Sequence, residues 1–162
     1  MEVEPRPEID GRQATLAAWR AMLLALPDSA LHQLWLVDSD FSDWPVGEAD
    51  VVAALTRWAR LPLRRMVWIG QDFEALARRQ PRTAAWRRDF AHVVQAYCPA
   101  DGERVDWPCW LMSECGAVVL DDRAHWRGRS VLSASDLRLM RDTADALLQR
   151  CEPAWPANVL GL

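Results

Sequence analysis

The stretch LWLVDSDFSDWPVGEAD, Leu34 to Asp50, decides the fold: a short apolar run, then a turn carrying Asp38, Asp40 and Asp43, then the start of a helix. Leu34 to Val37 is too apolar for a strand with one wet face, and turn-forming residues follow it. Such a run fits a central strand of a sheet covered on both sides. The three aspartates then stand at its carboxyl end, where open α/β sheets place their ligands.

The same pattern extends outward in both directions. Leu16, Trp19, Leu23 and Leu26 recur at helical spacing up to Pro27, and Val51, Val52, Leu55, Trp58 and Ala59 line a second helix that Pro62 stops. Met66 to Ile69 is a second apolar run ending in Gly70, with Asp72 placed to cap the helix that begins at Phe73. This is a β-α-β unit, whose crossover is expected to be right-handed. Pro81 breaks or kinks the next helix, which resumes through Ala84, Trp86 and Phe90, and Ala91 to Tyr97 predicts a third strand. Trp107 to Ser113 and Ala117 to Leu120 flank Gly116 as a hairpin, and Trp126 to Leu132 adds a short strand. Ser133 or Ser135 caps a long helix in which Leu137, Met140, Ala144, Leu147, Leu148 and Cys151 share a face. The expected fold class is therefore α/β, one domain over residues 13–156 with a mixed β-sheet flanked by helices. Residues 1–12 hold two prolines, a glycine and four acids and read as a disordered tail, with 157–162 as a C-terminal tail.

Composition narrows the chemistry. At 162 residues and 51% hydrophobic content, the chain can bury one sizeable core. Its net charge of -4 argues against an extended nucleic acid track. The early apolar run Met22 to Leu26 is far short of the roughly 20 residues a membrane span needs, so no membrane partner and a cytoplasmic location are expected. Cys98, Cys109, Cys115 and Cys151 form no CxxC pair and read as reduced core thiols. All 19 basic residues are arginine. Without lysine, Schiff-base catalysis, pyridoxal phosphate attachment and the phosphate-loop lysine are excluded.

The order helix, β-α-β-α-β, hairpin and terminal helix, carried by LWLVDSDFSDWPVGEADVVAALTRWAR and LRRMVWIGQDFEALARR, resembles one half of the phospholipase D-like fold. That family's catalytic signature is a histidine and a lysine two residues apart. Here His32, His92 and His125 are followed two positions on by Leu34, Val94 and Arg127. The resemblance therefore implies a phospholipase D-like half-fold without a phosphodiesterase site. Since that superfamily pairs two halves face to face, it also implies a homodimer with two-fold symmetry.

An enzymatic alternative starts from LWLVDSDFS, which is similar to the first motif of haloacid dehalogenase-like phosphatases. Asp38 would be the nucleophile and Asp40 the acid/base, and Asp121 and Asp122 would complete a magnesium site. Where that family has a serine or threonine after its second strand, this chain has Gly70 and Gln71. Asp38, Asp40 and Asp43 also suit a plainer role as turn and capping residues, since short aspartates bond readily to nearby backbone amides.

Charge is distributed in blocks. Asp28 to Thr56 holds six acids and no arginine, whereas Arg57 to Arg88 holds nine arginines and two acids. Arg78, Arg79, Arg82, Arg87 and Arg88 form a patch suited to phosphate or carboxylate. Such a run is also a common form of solvated helix face paired with its own carboxylates. The expected role is a binding or accessory protein without catalysis or cofactor, and the partner an acidic protein or a small phosphorylated ligand. Of the ten tryptophans, Trp19, Trp35, Trp58, Trp68 and Trp86 are expected in the core. Trp44, Trp107, Trp110, Trp126 and Trp155 are expected near the surface, where a ligand or a second copy would cover them.

Overall fold

The structure, a computed structural model, describes residues 8–101 and 103–156. Eight strands form one mixed sheet: β1 Ile9–Asp10, β2 Gln33–Val37, β3 Arg65–Ile69, β4 Val94–Pro99, β5 Trp110–Ser113, β6 Ala117–Asp122, β7 Arg127–Val131 and β8 Cys151–Pro153. Their spatial order is β1-β7-β6-β5-β2-β3-β4-β8. Strands β2, β3 and β4 run parallel at the centre, and every other neighbouring pair is antiparallel. The helices are α1 Arg12–Ala25, α2 Ala49–Ala59, α3 Glu74–Arg79, α4 Pro81–Asp89 and α5 Ala134–Leu148. The expected α/β fold with a mixed sheet flanked by helices is the fold observed.

The apolar runs are continuous because both faces of the sheet are covered. Leu34 and Leu36 of β2, with Met66 and Trp68 of β3, meet Trp19, Leu23, Leu55 and Trp58 from α1 and α2. Trp35, Val37, Val67 and Ile69 point to the other face and pack under Leu137, Met140, Ala144 and Leu147 of α5. Alternation by one residue thus sends every second side chain into a different core. Ser133 caps α5 by accepting from the Asp136 amide, and Asp72 accepts from the Glu74 amide at 2.6 Å to open α3. Pro81 occupies the first turn of α4, where its missing N–H is no loss.

Several boundaries differ from expectation. Ile9–Asp10 pairs with β7 and Ile9 is buried, so order begins before the tail boundary at residue 12. Residues 1–7 and 157–162 lie outside the described residues. The third parallel strand is Val94–Pro99, because Phe90 to His92 close the turn after α4 before pairing starts. Strand β8 was not expected, since Pro153 reads as a stop. It lies at the edge of the sheet, where a residue without an N–H is tolerated. Only Cys109 is a core thiol: Cys98 and Cys151 are half-buried and Cys115 is exposed, all four being free. Among the described residues no helix is long and apolar enough to cross a membrane.

Candidate functional site

At the carboxyl end of β2 the chain turns sharply, and Asp38 is the anchor of that turn. Its side chain is fully buried. One carboxylate oxygen accepts from the Phe41 amide at 3.1 Å and the Trp44 indole N–H at 3.0 Å, and the other is paired with Arg123. Phe41 adopts the left-handed conformation with φ 59°, a strain of about 1–3 kcal/mol for a non-glycine residue. Packing holds it there: its ring touches Trp44, Trp68 and Phe73 at centroid distances of 5.3, 4.9 and 5.7 Å. Gly70 lets β3 pass this close, since a Cβ would stand 2.8 Å from the Phe41 ring.

The remaining acids are engaged one by one. Burial raises the Asp40 carboxyl, but the Ser42 amide and hydroxyl with the charges of Arg123 and Arg79 outweigh it and hold the group below its ordinary range. Asp121 pairs with Arg129 at 3.0 Å. Asp122 accepts from the His125 amide and faces its ring nitrogen at 2.8 Å, contacts that hold its carboxyl low. Burial, and then the neighbouring Asp38 charge, push the Cys109 thiol up and keep it protonated. Asp38, Asp40, Asp121 and Asp122 are not drawn together as one ligand set. Among the described residues, no three His, Cys, Asp or Glu side chains are grouped to hold a metal ion. The donor set for magnesium does not fit, because the Asp38 oxygens already face an arginine and two N–H donors.

The arginine segment is fixed to the same end of the sheet. Gln80 donates to the Trp44 carbonyl at 3.0 Å and Thr83 to the Val46 carbonyl at 2.9 Å. Between them lies a cleft of about 650 Å³ whose walls include Arg12, Asp43, Glu48, Arg79 and Arg82. Its two acids are occupied, Asp43 by Arg12 at 3.6 Å and Glu48 by Arg20 at 2.9 Å. Arg78, Arg79, Arg82 and Arg88 are exposed, and among the described residues none has a carboxylate within 4.0 Å. Arg87 does not belong with them. It is buried at 7% exposure, and Trp86 and Thr83 on the same helix are buried with it.

The five tryptophans expected in the core are there. Trp44 is a correction: it is buried at 2% exposure, stacked on Trp19 with centroids 4.3 Å apart, because its N–H is needed at Asp38. Trp107, Trp110, Trp126 and Trp155 are half-buried against their own chain. Among the described residues, the large apolar side chains that do stand exposed are Leu61, Leu63, Leu132 and Leu139. Sequence reasoning missed Arg123 as the partner of Asp38. A signal was available, because an acidic block without arginine from Asp28 to Thr56 must draw the counter-ion for any buried member from elsewhere in the chain.

No family model matches the chain, and no curated protein matches it. A solved structure of TrmBL2, described as an archaeal chromatin protein with a novel mode of DNA binding, is similar in fold with a TM-score of 0.61 at 13% identity. The match covers 90% of this chain and 52% of that one, so the chain spans about half the length of its structural neighbour.

Proposed function

We propose that this chain is a non-catalytic binding module that takes an anionic partner on the exposed guanidinium groups of Arg78, Arg79, Arg82 and Arg88. One observation carries the reading: these four exposed cations stand within eleven residues on α3 and α4, none has a carboxylate within 4.0 Å among the described residues, and Arg79 and Arg82 line the cleft beside them. Clustered guanidinium groups repel one another and stay charged, so an incoming phosphate or carboxylate relieves that repulsion while gaining forked hydrogen bonds. The cleft beside Arg79 and Arg82 gives a small phosphorylated ligand or an acidic side chain a place to enter.

The scaffold in this reading is a phospholipase D-like half-fold that lacks the histidine-lysine pair. The strand order and the absence of lysine support it. A magnesium phosphatase is not adopted, because Asp38 is held by Arg123, Trp44 and Phe41 rather than presented to a substrate. Pairing of two copies stays part of this reading, through the half-buried Trp107, Trp110, Trp126 and Trp155 and without the buried Trp44.

The test is a titration with three labelled probes: a polyglutamate peptide, tripolyphosphate and a short DNA duplex. Binding of the peptide or tripolyphosphate should weaken steeply as salt rises and the Debye length falls to about 8 Å at physiological ionic strength. Replacing Arg79, Arg82 and Arg88 together with alanine should remove most of that salt dependence. Equal affinity in parent and triple variant sinks the reading. Preference for the duplex, with a log-log salt slope of several units, replaces the compact partner with nucleic acid.

A further inference from the structure

Among the described residues only two charged side chains are buried, Asp38 and Arg87, and they are satisfied very differently. Asp38 has three donors. Arg87 donates from Nε to the Trp155 carbonyl at 3.3 Å and lies over the Trp155 ring at 5.9 Å, while its buried Nη1 has no acceptor among the described residues. Burial lowers its pKa, yet a guanidinium remains protonated at any physiological pH. A buried cation with no counter-ion among the described residues is strongly disfavoured until an anion reaches it.

Next to Arg87 is a cavity of about 370 Å³, with Val94, Ala96, Tyr97, Pro153 and Ala154 in its walls. Its origin is local. The Val93 and Tyr97 carbonyls accept from β3, so Val94 and Ala96 turn their backbone groups toward the outer edge of the sheet. Strand β8 reaches only as far as the bond from the Ala154 amide to the Ala96 carbonyl, at 2.9 Å. Trp155 then adopts φ 46° and the chain leaves the strand path, which leaves a gap beside β4 lined by Val94, Ala96, Pro153, Ala154 and Pro156, with Gln95 and the Arg87 cation as polar groups.

We propose that this cavity binds a small ligand bearing an oxyanion and a short apolar body, with the oxyanion paired to the Arg87 guanidinium. The side chains of Val94, Ala96, Pro153 and Ala154 favour an alkyl carboxylate over a bare phosphate. This site is separate from the exposed arginines and does not rest on them.

The test uses the full chain with butyrate, its neutral analogue butyramide, and inorganic phosphate as probes, followed by calorimetry and by the Arg87 Nε–H resonance. Butyrate should bind saturably and shift that resonance, with butyramide weaker by at least about tenfold, the loss expected when a hydrogen bond to a charged group is removed. Phosphate should compete with butyrate but bind more weakly. Arg87→Gln should abolish the preference for butyrate over butyramide, while Arg141→Gln, at an exposed position of α5, leaves it intact. Because Arg87→Gln disturbs a buried position, Ala154→Leu provides a second arm, filling the cavity while keeping the guanidinium. It should block butyrate with the circular dichroism unchanged. The proposal is overturned if butyrate and butyramide bind alike, if Arg87→Gln retains the preference, or if folded Ala154→Leu binds butyrate as the parent does.

Discussion

The acidic turn after β2 and the arginine segment of α3 and α4 are tied to each other by Gln80 and Thr83, yet they handle charge in opposite ways. At Asp38 the protein supplies every donor itself: a backbone amide, an indole N–H and a guanidinium converge on one buried carboxylate. On α3 and α4, Arg78, Arg79, Arg82 and Arg88 face solvent without a described carboxylate in reach. A conspicuous cluster of acids therefore proves to be an internal fastening. The plainer-looking basic helix face is the one left open. Satisfaction, rather than the number of charged residues, separates a structural cluster from a surface ready for a partner.

The largest expected effect is on the fastening. Arg123→Ala leaves the Asp38 carboxylate buried with two donors and no counter-ion, and should lower unfolding stability by about 3 kcal/mol or more in urea titrations. The triple replacement of Arg79, Arg82 and Arg88 should change stability by no more than about 0.5 kcal/mol per site, as for exposed positions generally. If the two variants lose similar stability, the contrast between the regions collapses. Next in size is Trp44→Phe, which keeps a ring against Trp19 but deletes the indole donor to Asp38. A loss of about 1–2 kcal/mol is expected. No measurable loss would mean that Arg123 and Phe41 suffice.

The smallest effect is a pH dependence at Asp40. Its carboxyl is held below the ordinary value of 3.8 in the fold, so its contribution is complete above that value and is lost as pH falls through the lower folded value. Asp40→Asn should therefore cost no more than about 1 kcal/mol near pH 7, as for exposed pairs, with the gap to the parent narrowing below about pH 3.8. A gap that widens with acid would reverse the sign of this assignment.

Much of the fold was legible because periodicity reports burial directly. Leu34 to Val37 and Met66 to Ile69 are apolar at every position, and both faces of their strands are covered. What could not be read were the two edges. Both are too short to show alternation: Ile9–Asp10 lies among acids and prolines that read as a tail, and Cys151, which continues the helical spacing of α5, belongs instead to the strand Cys151–Pro153. The site was legible by location only. Asp38 stands where the strand end predicts, but its partner is 85 residues away in sequence. Nothing local distinguishes Arg123 from its neighbours. Within the run from Arg78 to Arg88, the sequence pattern offered no way to separate Arg87 from Arg88. A helix turning by 100° per residue buries the first and exposes the second.

The two short outer strands carry a consequence for behaviour at high concentration. A sheet with so many apolar inner strands is a hazard if its rim can recruit another chain by backbone pairing. Here one rim is a strand of two residues, and the other is a strand of three that ends in a proline. A foreign strand laid along either would find almost no ladder to extend, and at Pro153 a missing donor. Lengthening β8 by replacing Pro153 with a β-branched residue would remove this guard, turning a rim that ends assembly into one that templates it.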